Sequence, residues 1–265
     1  MIKNKTWILA LTGAALIAAL QAHGQTPTYA ADDLILNFRN PAATTGNDLE
    51  VNLGAVTDLA SGEVASSTLV EGVFGTIGTG VGDVTVGLSA TAADAAGTTG
   101  TLWLTRVDTT PGTAPTTVSG QQSFSPQNLT AQRIGNIGLG YNSGTVVTGF
   151  NNATTVAGGN TDSYQTQGQE SVSQTGRIDF GLNQNINASK GGNIETVQNG
   201  SADVYEALWE VPVSGTADTY EGYFTFQPNG EVDFTSVSSV PEPSTYALLL
   251  STGLGALAMR RKLRW

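Results

Sequence analysis

A 14-residue apolar run, Tyr246 to Met259, closes on the basic cluster Arg260, Arg261, Lys262 and Arg264, with Trp265 last. As a helix it measures roughly 21 Å against a hydrocarbon core of about 30 Å, marginal for a permanent span. A buried helix of a soluble domain is the alternative, but four basic residues in the last six positions make a poor core. The positive-inside bias would hold them on the cytoplasmic side and leave the body outside that membrane. Ahead of the run stands Val240-Pro241-Glu242-Pro243-Ser244. Val240 and Glu242 each precede a proline, which disfavours helical torsions and removes a backbone donor, so this stretch is extended and can be gripped by a peptidase.

The opening residues carry a second removable segment. Lys3 and Lys5 form a positive region, Trp7 to Leu20 is apolar apart from Thr12 and Gly13, and Ala22-His23-Gly24 offers small residues where a signal peptidase reads. Cleavage is expected after Gly24, with Ala22 as the second choice, which makes residues 1–24 a signal peptide for Sec-type export. A single N-terminal anchor is the competing reading. It is disfavoured because the apolar region is short and ends in a processing site.

The order Pro-Glu-Pro, short hydrophobic helix (246–259) and arginine-rich end (260–265) resembles the bacterial PEP-CTERM sorting signal, over residues 240–265. The resemblance implies recognition by an exosortase, a membrane cysteine peptidase that cuts at or near the motif and passes the protein to the cell surface. The expected route is an inner-membrane intermediate held by the C-terminal helix, then the surface or extracellular matrix. The same tail is catalogued as an ice-binding protein C-terminal domain, yet it carries no ice chemistry itself. Flat threonine arrays would be needed, and Thr85, Thr101 and Thr105 are too few and unaligned.

Both end segments are discarded, and this empties the body of several chemistries. His23, Met1 and Met259 all lie in them, and the chain has no cysteine. What remains cannot build Ser-His-Asp or Cys-His catalysis, histidine or thiolate metal sites, disulfides or the usual haem ligation. Neither a cofactor nor a metal is expected, and no Asp-x-Asp-x-Asp-Gly calcium loop occurs. Between Gln25 and Ser239 there are 21 acidic residues against five basic ones (Arg39, Arg106, Arg133, Arg177, Lys190), a net charge of −16. That surface repels phosphate backbones, so nucleic acid is excluded as a partner.

The body, residues 25–239, reads as β structure. Alternation marks strands at Asp33 to Phe38, Leu49 to Leu53, Val84 to Leu88 and Thr101 to Val107, with another inside Ala202 to Val213. Tyr220 to Gln227 and Glu231 to Thr235 form a hairpin about Pro228-Asn229-Gly230, where Asn-Gly accepts positive φ. Between residues 110 and 175 Gly, Thr, Ser, Asn and Gln dominate, and loop is expected. One short helix is placed from Pro126 to about Asn136, capped by Ser125 and ended by Gly135, Gly138 and Gly140. Residues 149–174 are the candidate for mobile structure. The whole is expected to be all-β, a single jelly-roll-like sandwich with one short helix, with a β-helix as runner-up.

For function the leading expectation is a non-enzymatic surface or matrix protein associated with exopolysaccharide. A carbohydrate-binding sandwich is the alternative, with Trp103 and Trp209 as stacking platforms, although their apolar strand contexts favour core packing. A glycosidase built from carboxylates alone is less favoured. Asp203, Glu206 and Glu210 are available, but no motif selects a pair and solvated acids are the default. Asn128, Asn152, Asn187 and Asn199 match the N-glycosylation pattern by chance in an Asn/Thr-rich chain.

Overall fold

The computed structural model describes residues 28–43, 46–94, 101–113, 124–168, 194–212 and 218–237. Among these residues eleven strands are formed: β1 (Asp33–Arg39), β2 (Asn47–Ala55), β3 (Gly62–Ala65), β4 (Val86–Ala93), β5 (Leu102–Asp108), β6 (Thr145–Val146), β7 (Ala153–Ala157), β8 (Thr196–Gln198), β9 (Val204–Val211), β10 (Thr219–Phe226) and β11 (Val232–Ser236). Among the described residues three α-helices accompany them: α1 (Ser67–Phe74), α2 (Phe124–Ser143) and α3 (Tyr164–Gly168).

The strands make one antiparallel sheet rather than the two of a jelly roll. Its order is β3-β11-β10-β9-β5-β4-β1-β2-β7-β6, with β8 paired to β4 off that path. The sheet is strongly curled into a half-barrel, and one contact measures the curl. Three strands separate β1 from β10 in the order, so on a flat sheet they would lie about 19 Å apart. Yet the rings of Phe38 and Phe226 meet at 5.8 Å, edge to face. The sheet closes over its own inner face and supplies both layers of the expected sandwich. Leu34, Leu36, Phe38, Val51, Leu88, Leu208, Phe224, Phe226 and Phe234 fill that space, with Leu69 and Val70 of α1 among them.

Curling needs local devices. At Tyr220/Gly222 the β9–β10 register shifts, and Gly222 sits at φ +150 with a Cβ position occupied by Thr235 O. Such a bulge raises the local twist. The hairpin turn differs in detail from the sequence expectation. Gly230 N–H donates to Gln227 O and Gln227 N–H to Glu231 O, and only Gly230 has positive φ. This is a three-residue loop, a type I turn with Pro228 at its second position followed by a left-handed glycine.

The outer face of β1, β4, β5 and β9 is covered by α2. Ala131, Ile134, Ile137 and Tyr141 pack there with Ile35, Leu102, Leu104, Ala207 and Trp209. This helix runs to 20 residues, well beyond the short one expected, and its glycines do not end it. Gly138 and Gly140 are where neighbours press in, for a Cβ would collide with the Tyr29 ring at the first and with Asp162 O at the second. Part of the segment expected to be mobile is likewise regular, since it contains β7 and α3. Residues 169–174 of it lie outside the described residues.

Candidate functional site

The outer face of β1 and β2 should be wet if alternation alone decides. Asn37 and Arg39 alternate with Leu36 and Phe38, and Asp48 and Glu50 with Leu49 and Val51. Instead all four polar residues are buried. Register sets Asn37 opposite Glu50 on one side and opposite Ser89 on the other. α3 lies over this row, and its N-terminal amides are satisfied by the strand carboxylates. Tyr164 N–H donates to Glu50 Oε1 at 3.2 Å and Gln165 N–H to Asp48 Oδ2 at 2.7 Å. Acceptors at a helix start gain from its orphan donors and dipole.

The centre of the cluster is an ion pair. Arg39 donates from Nε to Glu195 Oε2 at 2.6 Å and from Nη2 to Glu195 Oε1 at 2.7 Å, a two-pronged bond between side chains 2% and 1% exposed. The Tyr164 hydroxyl donates to Glu195 Oε2 at 3.2 Å. Register places Arg39 opposite Gly87, and this glycine makes the room: a Cβ there would lie 2.6 Å from the Glu195 carboxyl carbon. Glu206 joins from β9, its Oε1 accepting from Thr196 N–H. The gap is opened by β5, which pairs with β4 only through Leu104. Beyond it Thr105 Oγ1 accepts from Ala90 N–H and donates to Ile194 O, while β8 pairs with the freed start of β4.

Four carboxylates therefore share one buried arginine among the described residues, and the acids respond by holding protons. Burial pushes Asp48 up to about 7, against the opposing pull of the Gln165 amide and Arg39. Glu50 lies well above the carboxylate range through burial and then the neighbouring Asp48 charge. Glu206 is raised well up by burial, against hydrogen bonds from Thr105 and Thr196. Even Glu195 is raised by burial, in spite of Arg39, and burial lifts the Tyr164 hydroxyl well above 10. Charged forms are disfavoured in a dry interior unless paired, and one guanidinium neutralises about one carboxylate. Glu50 Oε2, Asp48 Oδ1 and Glu206 Oε2 have no hydrogen-bond partner.

The sequence-derived candidates are placed unevenly. Trp209 is 2% exposed inside the α2 layer, so it packs a core and is no open platform. Trp103 is half-buried against the inner-face cluster, on the other face of the sheet. Glu206, taken as a solvated acid, has no exposed surface; Glu210 is half-buried and Asp203 exposed. Asp48, Glu195 and Tyr164 were missed, and nothing in their local sequence marks them. The available signal was Ile35, an apolar residue on the face that alternation assigns to water. Val240 to Ser244, Arg260, Arg261, Lys262, Arg264, Ala22 and Gly24 lie outside the described residues.

Of these, Val240 to Ser244 and Arg260, Arg261 and Lys262 are reached by comparison. Residues 239–262 match the family model of the PEP-CTERM protein-sorting motif. The motif implies an exported protein, sorted to the cell surface through exosortase processing. No curated protein and no solved structure matches the chain.

Proposed function

We propose that this chain is a non-enzymatic cell-surface or extracellular-matrix protein, cut by an exosortase at Pro241-Glu242-Pro243 and retained in an exopolysaccharide-rich envelope. The observation that carries the reading is the sorting motif at residues 239–262, at the far end of an acidic β body with no cysteine. The buried cluster supports the non-enzymatic part. Asp48, Glu50, Glu195 and Glu206 are at most 1% exposed, and a glycosidase acid has to touch its glycosidic oxygen across a cleft. Their arrangement ties α3, β2, β8 and β9 together, which is structural work.

Replacing Pro241, Glu242 and Pro243 by alanine tests the sorting. The expected result is loss of the processed mass and accumulation of an unprocessed, membrane-held form. Unchanged processing and surface retention would overturn the proposal.

A further inference from the structure

The sheet ends where the sorting segment begins. Phe234 is the last buried side chain of β11, 3% exposed and packed on Phe224, whereas Thr235, Ser236 and Val237 are exposed. Hydrogen bonds, rather than buried side chains, hold these three. Pairing with β10 continues through Thr235 and Ser236, and Val237 N–H donates to Glu221 O at 3.0 Å. On the other side the β3 ladder stops at Gly62, opposite Phe234, and Ser61 takes over. Its Oγ accepts from Ser236 N–H at 2.9 Å and lies 3.0 Å from Ser236 Oγ.

Ser238 and Ser239 alone separate Val237 from the Val240 that opens the motif. An extended chain advances at most about 3.6 Å per residue, so Pro241 lies within about 14 Å of Val237. The cut therefore falls beside the end of a folded sheet. A peptidase cleft that takes its substrate as an added strand draws on backbone groups leading into the cut. Here the N–H groups of Ser236 and Val237 are already committed to Ser61 and Glu221. Unpairing 235–237 moves the last fixed residue back to Phe234 and extends the reach to Pro241 to about 25 Å. Exposed strand ends with few buried contacts are the first parts of a fold to open, and the buried Phe234 ring stops the opening there.

We propose that Thr235 to Val237 form a clasp that limits exosortase processing. Shut against Ser61 and Glu221, it withholds the strand leading into Pro241-Glu242-Pro243; frayed back to Phe234, it hands that strand to the peptidase. The inference rests on the sorting reading above and adds to it a control built into the fold.

The full chain is expressed in a host that carries the exosortase, and processing is followed by pulse-chase and by the mass of the product. Ser61→Cys/Ser236→Cys replaces the facing hydroxyls by thiols that a disulfide can join with little movement, and the chain has no cysteine to compete. Since the rate scales with the open fraction, the cross-linked chain is expected to be processed at least about tenfold more slowly than the parent. Reductant should restore the rate, and so should a flexible insert of about eight Gly and Ser residues between Ser239 and Val240 while the cross-link stays in place. Ser61→Ala, which removes the acceptor for Ser236 N–H, should speed processing. Parent-rate processing of the cross-linked chain overturns the clasp, as does a block that neither reductant nor the insert relieves. The chain with alanine at 241, 242 and 243 separates the two readings: if it is still processed, the sorting reading fails and takes the clasp with it, whereas a block there beside parent-rate processing of the cross-linked chain sinks the clasp alone.

Discussion

Removing Arg39 alone should cost more than removing it together with Glu195. Arg39→Met preserves the apolar stem and leaves the Glu195 carboxylate, 1% exposed, without the guanidinium that meets it at 2.6 and 2.7 Å. Breaking one side of a buried pair costs about 3–5 kcal/mol, because an unmatched charge stays inside. Asp48 loses the same favourable neighbour, so the upper part of that range is expected at pH 7.5. At pH 5 Glu195 and Asp48 take up protons in the variant, and the loss shrinks to that of neutral hydrogen bonds and packing, about 1–2 kcal/mol. The double variant Arg39→Met/Glu195→Gln should return to within about 1 kcal/mol of the parent at both pH values. Urea unfolding followed by tryptophan emission reads these differences, with Trp209 in the affected layer. Equal costs at pH 5 and 7.5, or a double variant as unstable as the single one, would refute a dry, charge-compensated Arg39–Glu195 contact.

The unmodified protein should itself lose stability as pH rises. Acids whose folded pKa lies above the unfolded value bind extra protons in the native state, so their contribution is complete below about pH 4 and disappears on the way up through the folded value. For Asp48 that window runs from about 4 to about 7, and it is at most about 4 kcal/mol wide. Asp48→Asn should flatten the slope in that window in unfolding titrations. Glu206→Gln keeps the acceptor for Thr196 N–H; since burial raises the native acid, the variant should change little below about pH 4 and stabilise the protein progressively as pH rises, read by thermal melts. Gly87→Ala should cost about 1–3 kcal/mol, since its methyl group enters the space of a carboxyl that Arg39 holds in place. Gly138→Ala reverses the usual gain of about 1 kcal/mol for this change inside a helix, because Tyr29 occupies the site. An increase in melting temperature for that variant would show that Tyr29 does not pack there.

Residue order alone was enough for the C-terminal sorting motif at residues 239–262, the acidic charge and most long strands. Each of these depends on near neighbours: a proline acting on the residue before it, an apolar run beside a basic one, side chains alternating every second position. The strands expected at 33–38, 49–53, 101–107 and 220–235 are present, with the Pro228-Asn229-Gly230 reversal between the last two. Alternation says that a strand has two faces, but not what lies on either. Leu49-Glu50-Val51 reads the same whether Glu50 meets water or the amide of Tyr164, 114 positions away. The curl that brings Phe38 onto Phe226, the glycines that let Tyr29 and Asp162 press into α2, and the gathering of Asp48, Glu50, Glu195 and Glu206 about one arginine are long-range outcomes. They belong to the tertiary structure, because burial is decided by which distant segment arrives to exclude the water.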